Sequence, residues 1–282
     1  MKNNARLKLV QPNETKQIRT FRRGRISVRQ EIQRQRILRN NLEKSVYGSL
    51  HRSISKVING KIYLYKEYGV FEEAQTTRDF DEELLPIMYL HYQKIFKNVF
   101  KQNEETYANI NKTAEAIIFG RNYDIERLID IYNKGRLLFL SGISSKLANR
   151  IAKIITLGRE EGLSLTAIAK NISEKVLPIG RSRAALIART ETHNAASFAH
   201  HQYHGVLKDN LGLSMKKRWT STSDHRTRSA HNEANGQIVD MDENFIVGGT
   251  EMAHAGDPAG GAKNNVNCRC VIIYADARDI VI

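Results

Sequence analysis

The chain has few of the residues that impose structure covalently or sterically. Of 282 residues only two are cysteine, Cys268 and Cys270, one residue apart. Two thiols exclude a disulfide framework and suit a reducing compartment. A bond between them would close a very small, strained ring, so a structural Cys268–Cys270 disulfide is not expected. Only four prolines occur, at 12, 86, 178 and 258, and a single tryptophan, Trp219. No run approaches 18 apolar residues, which argues against a membrane span. The opening MKNNARLKLVQPNETKQ has no apolar stretch of the kind a secretory signal needs. Low hydrophobicity is also missing: 41% of residues are hydrophobic, enough for a buried core rather than a disordered chain.

Charge of one sign is what the sequence has in excess. The formal net charge is +14, which points to a polyanionic partner, most often nucleic acid. The excess is concentrated in RTFRRGRISVRQEIQRQRILRNN, where Arg19, Arg22, Arg23, Arg25, Arg29, Arg34, Arg36 and Arg39 share the stretch with one acid, Glu31. With Phe21 the only aromatic residue there, stacking on single-stranded bases is not indicated. Contact with the phosphates of double-stranded DNA, without sequence readout, is the functional expectation for these arginines. The plainer alternative is a solvated, partly helical basic arm.

The chain up to about residue 180 reads as helical. Leu84, Met88, Ile95, Val99 and Phe100 recur at helical spacing. Pro86 suits the first turn of that helix, which predicts a start near Asp81. Ile125, Leu128, Ile129 and Ile131 suggest one face of a second helix, with Gly142 and Gly158 as breaks or ends. Ser164 is a plausible N-cap ahead of Ala167, Ile168 and Ile172. LPIGRSR reads as a turn into a long alanine-rich helix, RAALIARTETHNAASFAHHQYHGVL. From residue 212 glycines become frequent, and KKRWTST, CVIIYA and GQIVDMD read as strands. The expected fold is α+β, a helical N-terminal region followed by a compact α+β C-terminal domain. The divisions are a basic, partly helical arm at 1–45, a helical region at 46–180 and a C-terminal domain at 181–282.

Seven of the nine histidines, both cysteines and Trp219 fall after residue 190, so any polar site belongs to that domain. One reading is a structural zinc clip in which Cys268 and Cys270 supply two of four ligands, with Asp224, His225, His231 or His254 completing the set. Cys-x-Cys is a weaker zinc signal than Cys-x-x-Cys, and the bland alternative is two small hydrophobes at a strand start. A second reading is a polar network in which Asp224 orients an arginine through a bidentate pair. Arg189 and His193 lie one helical turn apart, with Glu191 pointing elsewhere. A third is catalytic. Arg189 and the Ser-Thr-Ser at 221–223 loosely resemble elements of ADP-ribosyltransferases, but no Glu-x-Glu occurs in the chain. A metal-dependent enzyme centred on Asp224, His231, Cys268 and Cys270 is the further alternative, without a complete catalytic signature. The chain is therefore not expected to be an enzyme.

Taken in order, IARTETHNA, WTSTSDHRTRSAH, NGQIVDMDENF and GDPAGGAKNNVNCRC resemble the phage Mu protein F-like head morphogenesis family over roughly residues 180–275. The resemblance rests on Arg189, Thr190 and Glu191, on Trp219, Asp224, Arg226, Arg228 and His231, on Gly236 and Gln237, on Asp257 and Pro258, and on Asn267, Cys268, Arg269 and Cys270. It implies a minor head protein of a tailed phage, present in few copies, associated with the portal and acting in prohead assembly, DNA packaging or genome delivery. Implied partners are the portal protein, capsid or scaffolding proteins and double-stranded DNA, with no membrane. The implied location is the virion, at the head interior or portal vertex, and the host cytoplasm during assembly. Some members carry C-terminal toxin domains. None is expected here, with Ile282 so soon after the motif.

Overall fold

A computed structural model describes residues 27–108 and 124–276. Four long helices come first: α1 (Val28–Tyr68), α2 (Glu73–Ala108), α3 (Ile125–Glu160) and α4 (Leu165–Leu211). A small mixed module follows, with β1 (Met215–Thr220), α5 (Ser229–Glu233), β2 (Ile238–Asp240), β3 (Phe245–Val247), β4 (Thr250–Met252), α6 (Gly261–Asn265) and β5 (Val271–Asp276). The α+β expectation holds. Arg19, Arg22, Arg23 and Arg25 lie outside the described residues.

The helix starts are set by side chains that satisfy the first free backbone N–H groups. At α1, Ser27 Oγ accepts from Gln30 N and Gln30 Oε1 accepts from Ser27 N, a reciprocal capping box. At α4, Ser164 Oγ accepts from Ala167 N at 3.2 Å, as its sequence position suggests. Both helices end on a left-handed glycine, Gly69 at φ 65° and Gly212 at φ 58°.

Four expectations about the helices need correction. Pro86 lies deep inside α2, not in its first turn, because the buried stripe already begins at Thr76 and Phe80. Gly142 lies in the interior of α3 and Gly158 in its last turn, so neither breaks the helix. Ile131 is exposed, and Tyr132 takes the buried position on that face. LPIGRSR is not a turn: α4 runs unbroken through Pro178 and Gly180. Gly180 is there for close approach, since a Cβ would sit 2.8 Å from Ile54 of α1. α1 packs most extensively on α4, and α2 on α3.

β1 is the centre of a three-stranded antiparallel sheet, order β2-β1-β5, with Trp219 opposite Ile272 and Arg218 opposite Ile238. β3 and β4 form a hairpin whose two-residue turn, Gly248 and Gly249, has φ of 58° and 77°. That turn needs positive φ at both positions, which glycine adopts without strain. The two halves share one core. Residues 190–197 of α4 are buried on every side, so the polar groups on that segment must find partners inside the protein.

Candidate functional site

The buried segment of α4 carries most of the site. Glu191 is fully buried and takes Nε and Nη2 of Arg136 from α3, the Nε contact at 3.0 Å, with the Tyr92 hydroxyl donating to Oε2 at 2.7 Å. A buried carboxylate is tolerated only when paired and hydrogen-bonded in this way. Thr192 Oγ1 lies 2.7 Å from His91 Nε2. Thr190 Oγ1 accepts from the backbone N of Asn267 at 3.2 Å. Arg189 pairs with Glu43 at 3.2 Å and donates to Asn267 Oδ1 at 3.3 Å. Asn267 itself is left-handed at φ 56°. These contacts clamp the Asn-Cys-Arg-Cys segment onto the helix.

That clamp brings His231, Cys268 and Cys270 together. All three are buried, and their ligating atoms lie within 4.8 Å of one another. His231 Nδ1 is 3.3 Å from Cys270 Sγ and 3.7 Å from Cys268 Sγ. Both thiols are free. Trp219 packs edge-on against His231 with ring centroids 5.7 Å apart. The two thiols influence each other strongly. A hydrogen bond from Cys270, with His193 and His231 nearby, holds the Cys268 thiol well below its ordinary value, and the same bond and burial push Cys270 up. One proton shared between two sulfurs produces this split.

Asp224 does not join this group. Its oxygens take Arg269 bidentately at 2.6 and 2.7 Å, and Oδ1 also accepts from Thr227 Oγ1 and Arg226 N. These bonds, that of Arg269 first, hold the carboxyl well below the usual range. As a candidate metal ligand Asp224 is therefore replaced by a role as the anchor of Arg269. The bidentate partner expected for it is Arg269, on the distant segment that leads into β5. Arg228 donates to Val266 O at 2.5 Å, and Arg226 is exposed. Gln237 bridges to both Ile246 N and Ile246 O, and Asp257 accepts from Ala253 N and Ala259 N. His225 is exposed, and His254 is buried elsewhere, against Phe198 and His201. Neither reaches the thiols' cluster.

The arginines of α1 divide. Arg29 is exposed and Arg36 half-buried. Arg34 donates to Thr106 Oγ1 at 2.6 Å and Gln102 O at 3.1 Å. Arg39 is buried, and its Nη1 donates to His193 Nδ1 at 2.6 Å and to Cys270 O at 3.2 Å. Burial pulls its guanidinium down to about 10. Arg34 and Arg39 thus serve the interior rather than a row of phosphate contacts, a correction to the uniform reading of that stretch. Arg36, Arg39, Arg189 and Arg269 line a cleft of about 240 Å³ that His193 and Cys268 also border.

Sequence reading missed two features. Arg39 and His193 are 154 residues apart, and no local pattern pairs them. A groove of about 440 Å³ is lined by Lys146, Arg150, Lys153 and Lys175. The first three recur at i, i+4 and i+7 on α3, a spacing that was available as a signal. Among the described residues none of the four makes an ion pair.

Residues 149–273 match the phage Mu protein F like protein family, beginning upstream of the first motif. Over that C-terminal stretch the chain is similar to the family, and the likeness to a phage minor head protein extends further along the chain. Over 251 residues it is 28% identical to the minor head protein GP7 of Bacillus phage SPP1, covering 81% of this chain and 79% of that protein. It is also 31% identical over 206 residues to the NAD(+)–arginine ADP-ribosyltransferase EFV of Enterococcus faecalis. That match covers 68% of this chain and 42% of the transferase, so the chain spans less than half of that protein's length. No solved structure matches the chain. Among the described residues, no helix is long and apolar enough to cross a membrane.

Proposed function

We propose that this protein acts at the portal vertex of a tailed phage, in prohead assembly or genome delivery, and that it holds DNA through phosphate contacts. The observation that carries the reading is the match to the SPP1 minor head protein, which runs through about four-fifths of both chains. The buried ties of Glu191, Asn267 and Arg269 give the C-terminal module a structural role. They build one body from distant segments, and the Glu191 and Asp224 carboxylates are committed to Arg136 and Arg269. Portal, capsid or scaffolding proteins are the protein partners, and the virion head is the location.

The reading is non-enzymatic. The likeness to the ADP-ribosyltransferase favours a second one, because Arg189 and Thr222 border the same cleft. Against it, the chain has no Glu-x-Glu pair, and more than half of that transferase lies outside the match. Co-expression with portal and major capsid proteins followed by gradient sedimentation tests the assembly reading. The protein is expected to travel with proheads or portal rings in substoichiometric amounts. A protein that stays at the top of the gradient, or one that releases nicotinamide from NAD, overturns it.

A further inference from the structure

We propose that His231 Nδ1, Cys268 Sγ and Cys270 Sγ form a zinc-binding site whose fourth position is filled by water or a small anion. The first argument is geometric. Zinc bonds of about 2.3 Å to sulfur and about 2.0 Å to nitrogen, at tetrahedral angles, place nitrogen and sulfur about 3.5 Å apart. The two sulfur-to-nitrogen distances are 3.3 and 3.7 Å. Both distances match edges of one tetrahedron around a metal.

The second argument is the hydrogen-bond inventory around the sulfurs. An arginine can only donate, so His193 Nδ1, 2.6 Å from Arg39 Nη1, is an acceptor and the ring proton sits on Nε2. His193 Nε2 and Trp219 Nε1 are both buried without a well-formed hydrogen bond. His193 interacts with Cys268, and Trp219 with Cys270. N–H donors of this kind supply the outer hydrogen bonds that metal-bound sulfurs accept. Both sulfurs are buried, at 3% and 2% exposure, and zinc bound between them would stabilise their charged form there. The same tautomer removes His193 from the ligand set and makes it a positioning residue that orients Cys268.

The third argument is the count. No fourth histidine, cysteine or carboxylate joins the cluster among the described residues. Closed structural zinc sites use four protein ligands, and three leave a position for an exogenous one. Cys268 borders the cleft lined by four arginines, which suits a small anion there. The site is independent of the portal reading and stands or falls separately.

The test uses the full chain, untagged and purified without chelator. Elemental analysis is expected to find about one zinc per chain. Cobalt substitution is expected to give tetrahedral visible bands and a thiolate charge-transfer band in the near ultraviolet. Cys268→Ser and Cys270→Ser should each lower that band by about half and weaken zinc binding by about tenfold or more. His225→Ala, at an exposed position, should leave both unchanged. If the cysteine variants fail to fold, zinc titration of the metal-free wild-type chain decides, with a rise in melting temperature expected. A folded wild-type chain that takes up no zinc overturns the site. So does cobalt without a thiolate band, or full retention of metal in Cys268→Ser.

Discussion

His91 is buried and His201 half-buried, and desolvation is the first cause of what happens to both. His91, beside Thr192 with Lys94 nearby, is pulled down to about 4. His201, among His254, Lys217 and His204, is pulled down to about 2. The unfolded chain protonates such a ring near 6.5. Between that pH and the lower folded value the unfolded state binds more protons. The stability these rings contribute is therefore complete above about pH 6.5 and declines as the solution is acidified. The slope is about 1 kcal/mol per pH unit for each histidine. Urea midpoints measured from pH 7.5 to 4.5 should fall steadily below 6.5. The fall should be shallower in a His91→Gln chain that still folds. A flat profile would show that both rings protonate as easily inside the protein as out.

At the scale of elements, the glycines of the long helices show why periodicity locates a helix better than composition ends it. In sequence Gly142 reads as a break or end, and Gly180 as part of a turn. Both lie inside helices, but their surroundings are opposite. A Cβ at Gly142 meets nothing within 4 Å, whereas one at Gly180 meets Ile54 at 2.8 Å and Ile58 at 3.0 Å. Gly142→Ala should raise stability by about 0.5–1 kcal/mol through helix propensity alone. Gly180→Ala should lower it by about 1–3 kcal/mol, because overpacking between α1 and α4 outweighs the same propensity gain. Thermal or urea unfolding of the two variants checks the opposite signs. The buried stripe Leu84, Met88, Ile95, Val99 and Phe100 was legible because it repeats locally. The roles of Gly180 and Pro178 were not, because they depend on a helix more than 100 residues away. The site divides similarly. His231 and the two cysteines could be grouped by residue type, but Asp224 could not be assigned to Arg269 until β5 was placed beside β1.

At the scale of the molecule, the sequence carries an excess of 14 positive charges, and among the described residues the arginines of α1 do not form one outward row. Arg34 and Arg39 turn inward, and Arg36 faces the cleft beside the thiols. Lys146, Arg150 and Lys153 of α3, with Lys175 of α4 across the groove, make no ion pair among the described residues and form a second basic surface. A DNA backbone following that groove would release about one counterion for each phosphate neutralised, so binding should weaken steeply with salt. Replacing Lys146, Arg150 and Lys153 together with alanine should lower the slope of log affinity against log salt by about 2–3. The loss should be equal for unrelated duplex sequences, because no base edge is read. Arg34→Ala should instead lower stability, since its guanidinium ties α1 to Thr106 and Gln102 of α2, and leave the salt slope alone. Fluorescence anisotropy on a random duplex between 50 and 200 mM salt separates the two. If the triple alanine chain keeps the full slope, the DNA-facing surface is not on α3.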